Sequence, residues 1–200
     1  MKIVVASAFP EKLVPALKAF DDWCFFTDDR KASLTEQFLE AESVDIIVCF
    51  GYGKLFSKSA IKRVRIINLH GGLLPWNRGP NPNLWSWIDN TPKGVTIHEV
   101  DEGVDTGPII AQQEIMMSDQ DETLQSSFDK IVQLTSLNFV KHWKAIRSGD
   151  YETKPQGGQG TIHKLADQRL FQSVLEANLG TRICHLLELI RSKRTAPAAS

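Results

Sequence analysis

A chain of 200 residues, 42% hydrophobic and 24% charged, has the length and composition of one soluble globular domain, with room for a short appendage. A formal net charge of −1 supplies no basic field to draw it onto nucleic acid, and no apolar run approaches membrane-spanning length. Cys24, Cys49 and Cys184 are far apart, fit no zinc spacing and are odd in number, which argues against a disulfide framework and for a reducing cytoplasm.

Met1–Ala6 runs straight into a strand and Pro10 follows, so no secretory signal is read. Lys2–Ala6 is a short apolar run of buried parallel-strand type, and a helix is expected over Lys12–Phe20, with Pro15 tolerable only in its first turn. Trp23–Thr27 reads as a second strand. Ser33-Leu34-Thr35-Glu36 fits a capping box that opens a helix to about Ser43, with Leu34, Phe38 and Leu39 on one face. Asp45–Phe50 is a third buried strand, broken by Gly51-Tyr52-Gly53. Ser57 is placed to cap a short helix toward Val64. Alternating strand and helix through this half predicts a parallel, doubly wound α/β sheet.

The stretch from Arg65 to Gln112 carries the polar chemistry. Arg65–His70 is a strand whose alternation puts Asn68 and His70 on one side, opposite Leu69, and Gly71-Gly72 ends it. Val95–Val100 is a strand, Asp101–Gly107 an acidic turn, and Ile109–Ile115 begins another strand. Beyond it, Asp121–Ser148 is helical by spacing, with Leu124, Phe128, Ile131, Val132, Val140, Trp143 and Ile146 read as core, and Gly149 stops it. Tyr151–His163 reads as a loop or small hairpin, Leu165–Arg191 as two helical runs parted by Gly180, and Thr195–Ser200 as a disordered tail. The apolar stripe of Leu170, Phe171, Val174, Leu175, Leu179, Ile183, Leu186 and Ile190 must be covered by the core or by a second subunit, which keeps a homodimer open.

An amide, an imidazole and several carboxylates therefore stand at strand ends and in loops, where open α/β sheets present catalytic groups. From the residues alone the same positions also fit a strand-end cap and a structural turn. His98 alternates with Ile97, and a lone strand histidine reads as structural. No His, Cys and carboxylate cluster has ligand spacing, so no metal is expected.

Asn68-x-His70, Leu73-Leu74-Pro75, Arg78-Gly79 and Asp105-Thr106-Gly107-Pro108, in that order and spacing, resemble the formyltransferase family that uses 10-formyltetrahydrofolate, over roughly residues 1–165. Asn77–Ser86 is most similar to its sugar N-formyltransferase branch, which formylates nucleotide-linked amino sugars. Gly71-Gly72 stands where members commonly have Pro-Ser, beside the amine pocket. The loop after the first strand lacks the glycine-rich pattern of the glycinamide ribonucleotide formyltransferases.

The resemblance implies a Rossmann-like formyltransferase core over residues 1–150 and a short C-terminal hairpin or helical extension over 151–200. It implies 10-formyltetrahydrofolate as co-substrate, no metal, and a small-molecule nucleotide sugar as substrate. Formyl transfer to an amine passes through a tetrahedral oxyanion, so the site needs donors at that oxygen and a group to take the amine proton. Asn68 would donate, His70 would donate or act as base, and Asp105 would orient His70 or pass the proton on. Tyr52, Leu55 and Phe56 would line a pterin slot edged by the backbone of Val100, Asp101, Glu102, Gly103 and Val104. Pro75, Trp76, Asn77, Arg78 and Gly79 would hold the nucleotide sugar, with Arg78 forked onto its pyrophosphate. Trp76, Trp85 and Trp87 are close enough that one could stack on a base, while Trp85 also fits the start of a short inward-packed helix. The rivals are methionyl-tRNA formyltransferase, which carries a further C-terminal domain where only about fifty residues follow this core, and a folate-binding module without turnover.

Overall fold

Alternation in the first strand sets up the two sides of the molecule. In β1 (Lys2–Ser7) Ile3 and Val5 face one way and Val4 and Ala6 the other, and all four are fully buried. A strand covered on both faces belongs inside a helix–sheet–helix sandwich. The computed structural model describes residues 1–20, 22–27, 34–178 and 180–195. Ser33 of the expected capping box and tail residues 196–200 lie outside these, as do the side chains of Leu170 and Leu179.

The elements follow as α1 (Pro10–Leu17), β2 (Trp23–Thr27), α2 (Glu36–Ala41), β3 (Ile46–Phe50), α3 (Lys58–Arg63), β4 (Arg65–His70), α4 (Pro82–Ile88), β5 (Gly94–Glu99), β6 (Ile109–Glu114) and α5 (Leu124–Ser148). The C-terminal part adds α6 (Leu165–Gln168), a 3-10 turn at Arg169–Phe171, α7 (Gln172–Asn178) and α8 (Ile183–Thr195). One six-stranded sheet has the order β2-β1-β3-β4-β5-β6, parallel through β4 and antiparallel for β5 and β6. The doubly wound, mainly parallel sheet expected from the sequence is the observed architecture. Leu13 and Leu17 of α1 and Val132, Phe139 and Trp143 of α5 pack on one face, and Leu39 of α2 and Ala60 of α3 on the other.

Local chemistry explains the ends. Thr35 and Ser57 cap α2 and α3 by accepting from the backbone N–H of Phe38 and Ala60. Gly149 closes the 25-residue α5 with φ 77°, a left-handed backbone that costs glycine nothing. Pro15 departs from expectation. The helix starts at Pro10 instead of Lys12, so Pro15 falls in the second turn, on the exposed side. On α5 the core side is carried by Ile131, Val132, Phe139, Trp143 and Ile146, whereas Phe128 and Val140, read as core, are 38% and 46% exposed. A helix this long turns part of any stripe out to solvent, and the ring of Phe128 rests on Phe9 instead.

Residues 151–163 form no hairpin. They run back across the sheet end, bridging at Lys154 to Ile109 and at Ile162 to Arg78. The C-terminal stripe is taken up within its own chain, as Phe171, Val174, Leu175, Leu186 and Ile190 pack on Leu84 and Trp85 of α4. Its described members therefore give no ground for a second subunit. Among the described residues no helix is long and apolar enough to cross a membrane.

Candidate active site

The site forms where the parallel strands end. β4 finishes on His70, and its antiparallel register with β5 sets Asn68 opposite His98 and His70 opposite Thr96. Side chains paired this way share a face, here the α2/α3 side, in line with Ile66 of that core. The turn after β5 then brings in Asp105. Its φ of 50° is left-handed, a backbone that Asp and Asn tolerate better than other residues with a Cβ.

These groups meet. Asn68 Nδ2 donates to Asp105 Oδ1 at 3.0 Å and lies 3.2 Å from His98 Nε2. His98 Nδ1 is 2.7 Å from the Glu99 carbonyl, which only accepts, so the proton sits on Nδ1 and Nε2 receives the second Asn68 hydrogen. His70 Nε2 donates to the Asn77 carbonyl at 3.1 Å, which leaves Nδ1 facing Asp105 Oδ2 at 3.5 Å. The backbone N–H of Gly79 donates to the same Oδ2 at 2.8 Å.

Burial disfavours the charged forms here. It pushes the pKa of His70 below its ordinary 6.5, outweighing the opposing pull of Asp105. For Asp105 burial acts upward, but the His70 and His98 rings and the Gly79 N–H outweigh it and hold the carboxyl well below the usual carboxylate range. The resting pair is a neutral imidazole beside a carboxylate. A proton arriving at Nδ1 would create an ion pair, so the arrangement suits a base.

Gly72 matters for the same ring. A Cβ there would lie 2.9 Å from His70 Nε2 and 2.9 Å from Pro82 Cβ, so the Gly-Gly after the histidine gives the imidazole its space. Thr96 braces the turn that follows: its Oγ1 donates to the Gly72 carbonyl at 2.8 Å and accepts from the Leu74 N–H at 3.0 Å.

The loop with Pro75, Trp76, Asn77, Arg78 and Gly79 is held by the chain beyond α5. Thr161 N–H donates to the Pro75 carbonyl at 3.2 Å, Arg78 N–H to the Thr161 carbonyl at 2.9 Å, and His163 N–H to the Arg78 carbonyl at 3.0 Å. Asn77 is fully buried, its amide spent on Thr91 and Thr161. Arg78 donates through Nε and Nη2 to Gln156 Oε1, at 3.0 and 2.7 Å, and among the described residues no carboxylate pairs with it. The fork expected to grip phosphate thus holds an amide through Nε and Nη2, which leaves the Nη1 donors and the second Nη2 hydrogen for another ligand. Of the three tryptophans, Trp85 and Trp87 are buried and Trp76 is half-buried.

Tyr52, Leu55 and Phe56 line a cleft of about 440 Å³ together with Leu34, Thr35, Gln37, Lys54 and Ser57. The Tyr52 and Phe56 rings stack at 5.4 Å, and they and Val100 pack against the core on the α2/α3 side, while Leu55 is 78% exposed. Asp101 and Glu102 are engaged locally. Asp101 accepts from Gly103 N–H and Thr106 Oγ1, and Glu102 pairs with Lys58 at 2.5 Å. Gly103 and Val104 complete that turn. Among the described residues no group of three or more His, Cys, Asp or Glu is set to hold a metal.

Sequence reading passed over His98, Gln156 and Thr161. For His98 the signal was present, because alternation with Thr96 puts it on the face of Asn68 once β4 and β5 pair. For the other two there was none, since they reach the site only through the tertiary return of residues 151–163.

With this geometry in view, comparison with known proteins places the chain. Residues 10–141 match the Formyl transferase family. The chain belongs to that family. It is 31% identical over 166 residues to the dTDP-4-amino-4,6-dideoxyglucose formyltransferase of Mycobacterium tuberculosis, covering 82% of this chain and 67% of the relative. It is 36% identical over 130 residues to the methionyl-tRNA formyltransferase of Agathobacter rectalis, covering 64% of this chain but 42% of that protein. Among solved structures it is similar to the formyltransferase PseJ of Anoxybacillus kamchatkensis in complex with UDP-4,6-dideoxy-4-formamido-L-AltNAc and tetrahydrofolate. The TM-score is 0.83 and the identity 32%, over 93% of this chain and 97% of that one. The formyltransferase fold is therefore shared with PseJ almost end to end.

Proposed function

We propose that this formyltransferase moves the formyl group of 10-formyltetrahydrofolate onto the amino group of a nucleotide-linked amino sugar. The observation that carries the reading is Arg78, which among the described residues pairs with no carboxylate and sits in a braced loop whose next residue, Gly79, donates its N–H to Asp105. A guanidinium without a carboxylate partner beside a proton-accepting site suits a substrate whose reacting amine is tethered to a diphosphate. The relatives support the same substrate class, since PseJ was solved with a UDP-linked formamido sugar and the mycobacterial relative is named for a dTDP-linked amino sugar.

The co-substrate supplies the formyl carbon. The cleft of Tyr52, Leu55 and Phe56 offers the aromatic and apolar lining that a pterin needs, and Glu102 ties the 100–104 turn to Lys58 at the start of α3. The tasks divide among three residues. Asn68 offers an amide N–H to oxygen that gains charge. His70 takes the amine proton at Nδ1, and as the tetrahedral intermediate collapses the C–N10 bond breaks and that proton goes to N10 of the departing tetrahydrofolate. Asp105 stabilises the imidazolium so formed and fixes Asn68. Residues 1–150 form the catalytic unit, and 151–200 an extension whose first part braces the substrate loop. Three free thiols suit a reducing cytoplasm. A homodimer, if formed, uses a surface other than the described stripe of 171–190.

The test is a panel. Purified protein is incubated with 10-formyltetrahydrofolate and UDP- or dTDP-linked 4-amino and 3-amino sugars, and products are weighed by mass spectrometry. Gain of one CO unit on one sugar class is expected. Formylation of methionyl-tRNA with no sugar formylated would overturn the reading.

A further inference from the structure

Gln156 lies outside every motif and outside the family match, yet its amide is used completely. Oε1 accepts from Nε and Nη2 of Arg78, at 3.0 and 2.7 Å. Nε2 donates to the carbonyls of Asp105 and Gly107, at 2.8 and 2.9 Å. That pattern admits one orientation. Turning the amide over would set its NH2 against a guanidinium and its carbonyl against two carbonyls. One side chain thus joins the only half-buried cation of the substrate loop to the backbone of the turn that carries Asp105.

We propose that Gln156 is a positioning residue that couples the Arg78 phosphate grip to the placement of Asp105. This rests on the reading above of Arg78 as the diphosphate contact. Three features make the coupling physical. First, the amide takes the side fork of Arg78 and leaves Nη1 for another ligand, so the guanidinium is pre-set and less rotamer entropy is lost on binding. Second, it fixes both ends of the segment from Asp105 to Gly107, where Asp105 holds a left-handed backbone. Third, the link closes on itself. Arg78 is followed by Gly79, whose N–H returns to Asp105 Oδ2 at 2.8 Å. Arg78, Gln156, Asp105 and Gly79 therefore form a ring, and disturbing one member shifts both the anchor and the carboxylate.

The chemistry of the amide is specific. Asn is one methylene short of spanning both partners. Glu would pair with Arg78, but its second oxygen would face two carbonyls, and its charge would cancel the cation offered to phosphate.

The experiment compares wild type, Gln156→Ala, Gln156→Glu, Arg78→Ala and the double variant Arg78→Ala/Gln156→Ala. Tetrahydrofolate binding serves as the check on folding. Gln156→Ala should raise KM for the nucleotide sugar about tenfold and lower kcat about tenfold. Gln156→Glu should raise KM at least as much. In the Arg78→Ala background, Gln156→Ala should leave KM almost unchanged and still lower kcat, because only the Asp105 half of the link is left to lose. A readout free of any substrate is exchange of the Gly79 amide hydrogen, which should quicken about tenfold in Gln156→Ala. Loss of tetrahydrofolate binding in Gln156→Ala, or KM effects that multiply fully in the double variant, would overturn the coupling and make Gln156 a fold residue. If no nucleotide sugar is formylated by the wild type, the substrate reading has failed. Gly79 exchange then decides the positioning claim by itself, and an unchanged rate would overturn it.

Discussion

Asn68 Nδ2 stands 3.0 Å from Asp105 Oδ1 and 3.2 Å from His98 Nε2, so both hydrogens of its amide already have acceptors. To serve an oxyanion, one must be released, and the bond to the His98 ring is weaker than the one to the carboxylate. Asn68→Ala should therefore lower kcat on the order of a hundredfold, the cost typical of one oxyanion donor. Tetrahydrofolate binding by titration calorimetry should stay nearly intact. A kcat within threefold of wild type would show that Asn68 only props Asp105.

His98, read from the sequence as structural, is tested by its place beside Asn68. It is 1% exposed, and its Nε2 is the second anchor of the Asn68 amide. His98→Phe keeps a buried ring but removes the acceptor. A drop in kcat of roughly tenfold is expected, with partial recovery in His98→Gln, whose amide oxygen can accept. Substrate KM should not move, and a KM effect without a kcat effect would contradict the assignment.

Strand identities and the two-faced core were legible because Lys2–Ser7 and Ile46–Phe50 carry unbroken apolar runs, which only a strand covered on both sides can bury. Asn68 and His70 were legible as a pair because alternation along Arg65–His70 puts them on one side, and the spacing of Asp105 from them was a family signature. What stayed hidden depended on contacts distant in sequence. Asn77 reads as a loop polar residue and is in fact fully buried, because Thr91 and Thr161 close over its amide. Arg78 reads as a free fork, but Gln156 occupies half of it from 78 residues away. No local pattern encodes a partner that arrives by a tertiary return.

Acid should affect rate and stability in the same direction. His70 has its pKa lowered by burial, so its neutral, proton-accepting form persists below the ordinary 6.5. The acid limb of kcat/KM should accordingly have its midpoint under 6.5, and a midpoint above 7 would contradict the burial argument. For stability, the unfolded chain protonates this histidine first, so stability falls as pH drops through about 6.5. Asp105, held low in the folded state, adds stability that is full above the ordinary carboxylate range and is lost as pH falls below about 4. Urea midpoints at pH 7, 5 and 3.5 should fall in that order, and His70→Asn should flatten the first step.

Gly72 should resist any side chain. A Cβ would come within 2.9 Å of both His70 Nε2 and Pro82 Cβ, and neither neighbour is the free end of a flexible chain. Gly72→Ala should cost about 1–3 kcal/mol of stability, as overpacking does. It should also lower kcat more than it raises KM, since the ring displaced is the proposed base. A variant with wild-type kcat and melting temperature would show that the loop yields freely there.

The most direct test of the account is the kinetic cycle of His70→Asn, Asp105→Asn and the double variant in formyl transfer to the nucleotide-linked amino sugar. Asp105 lies 3.5 Å from His70 Nδ1 and acts on the transferred proton only through that atom. Each single variant should lose on the order of a hundredfold or more in kcat. The double should fall far short of the product of the two losses, any excess over the poorer single being Asp105's hold on Asn68. Losses that multiply in full would contradict the account, because His70 and Asp105 would then be serving separate tasks.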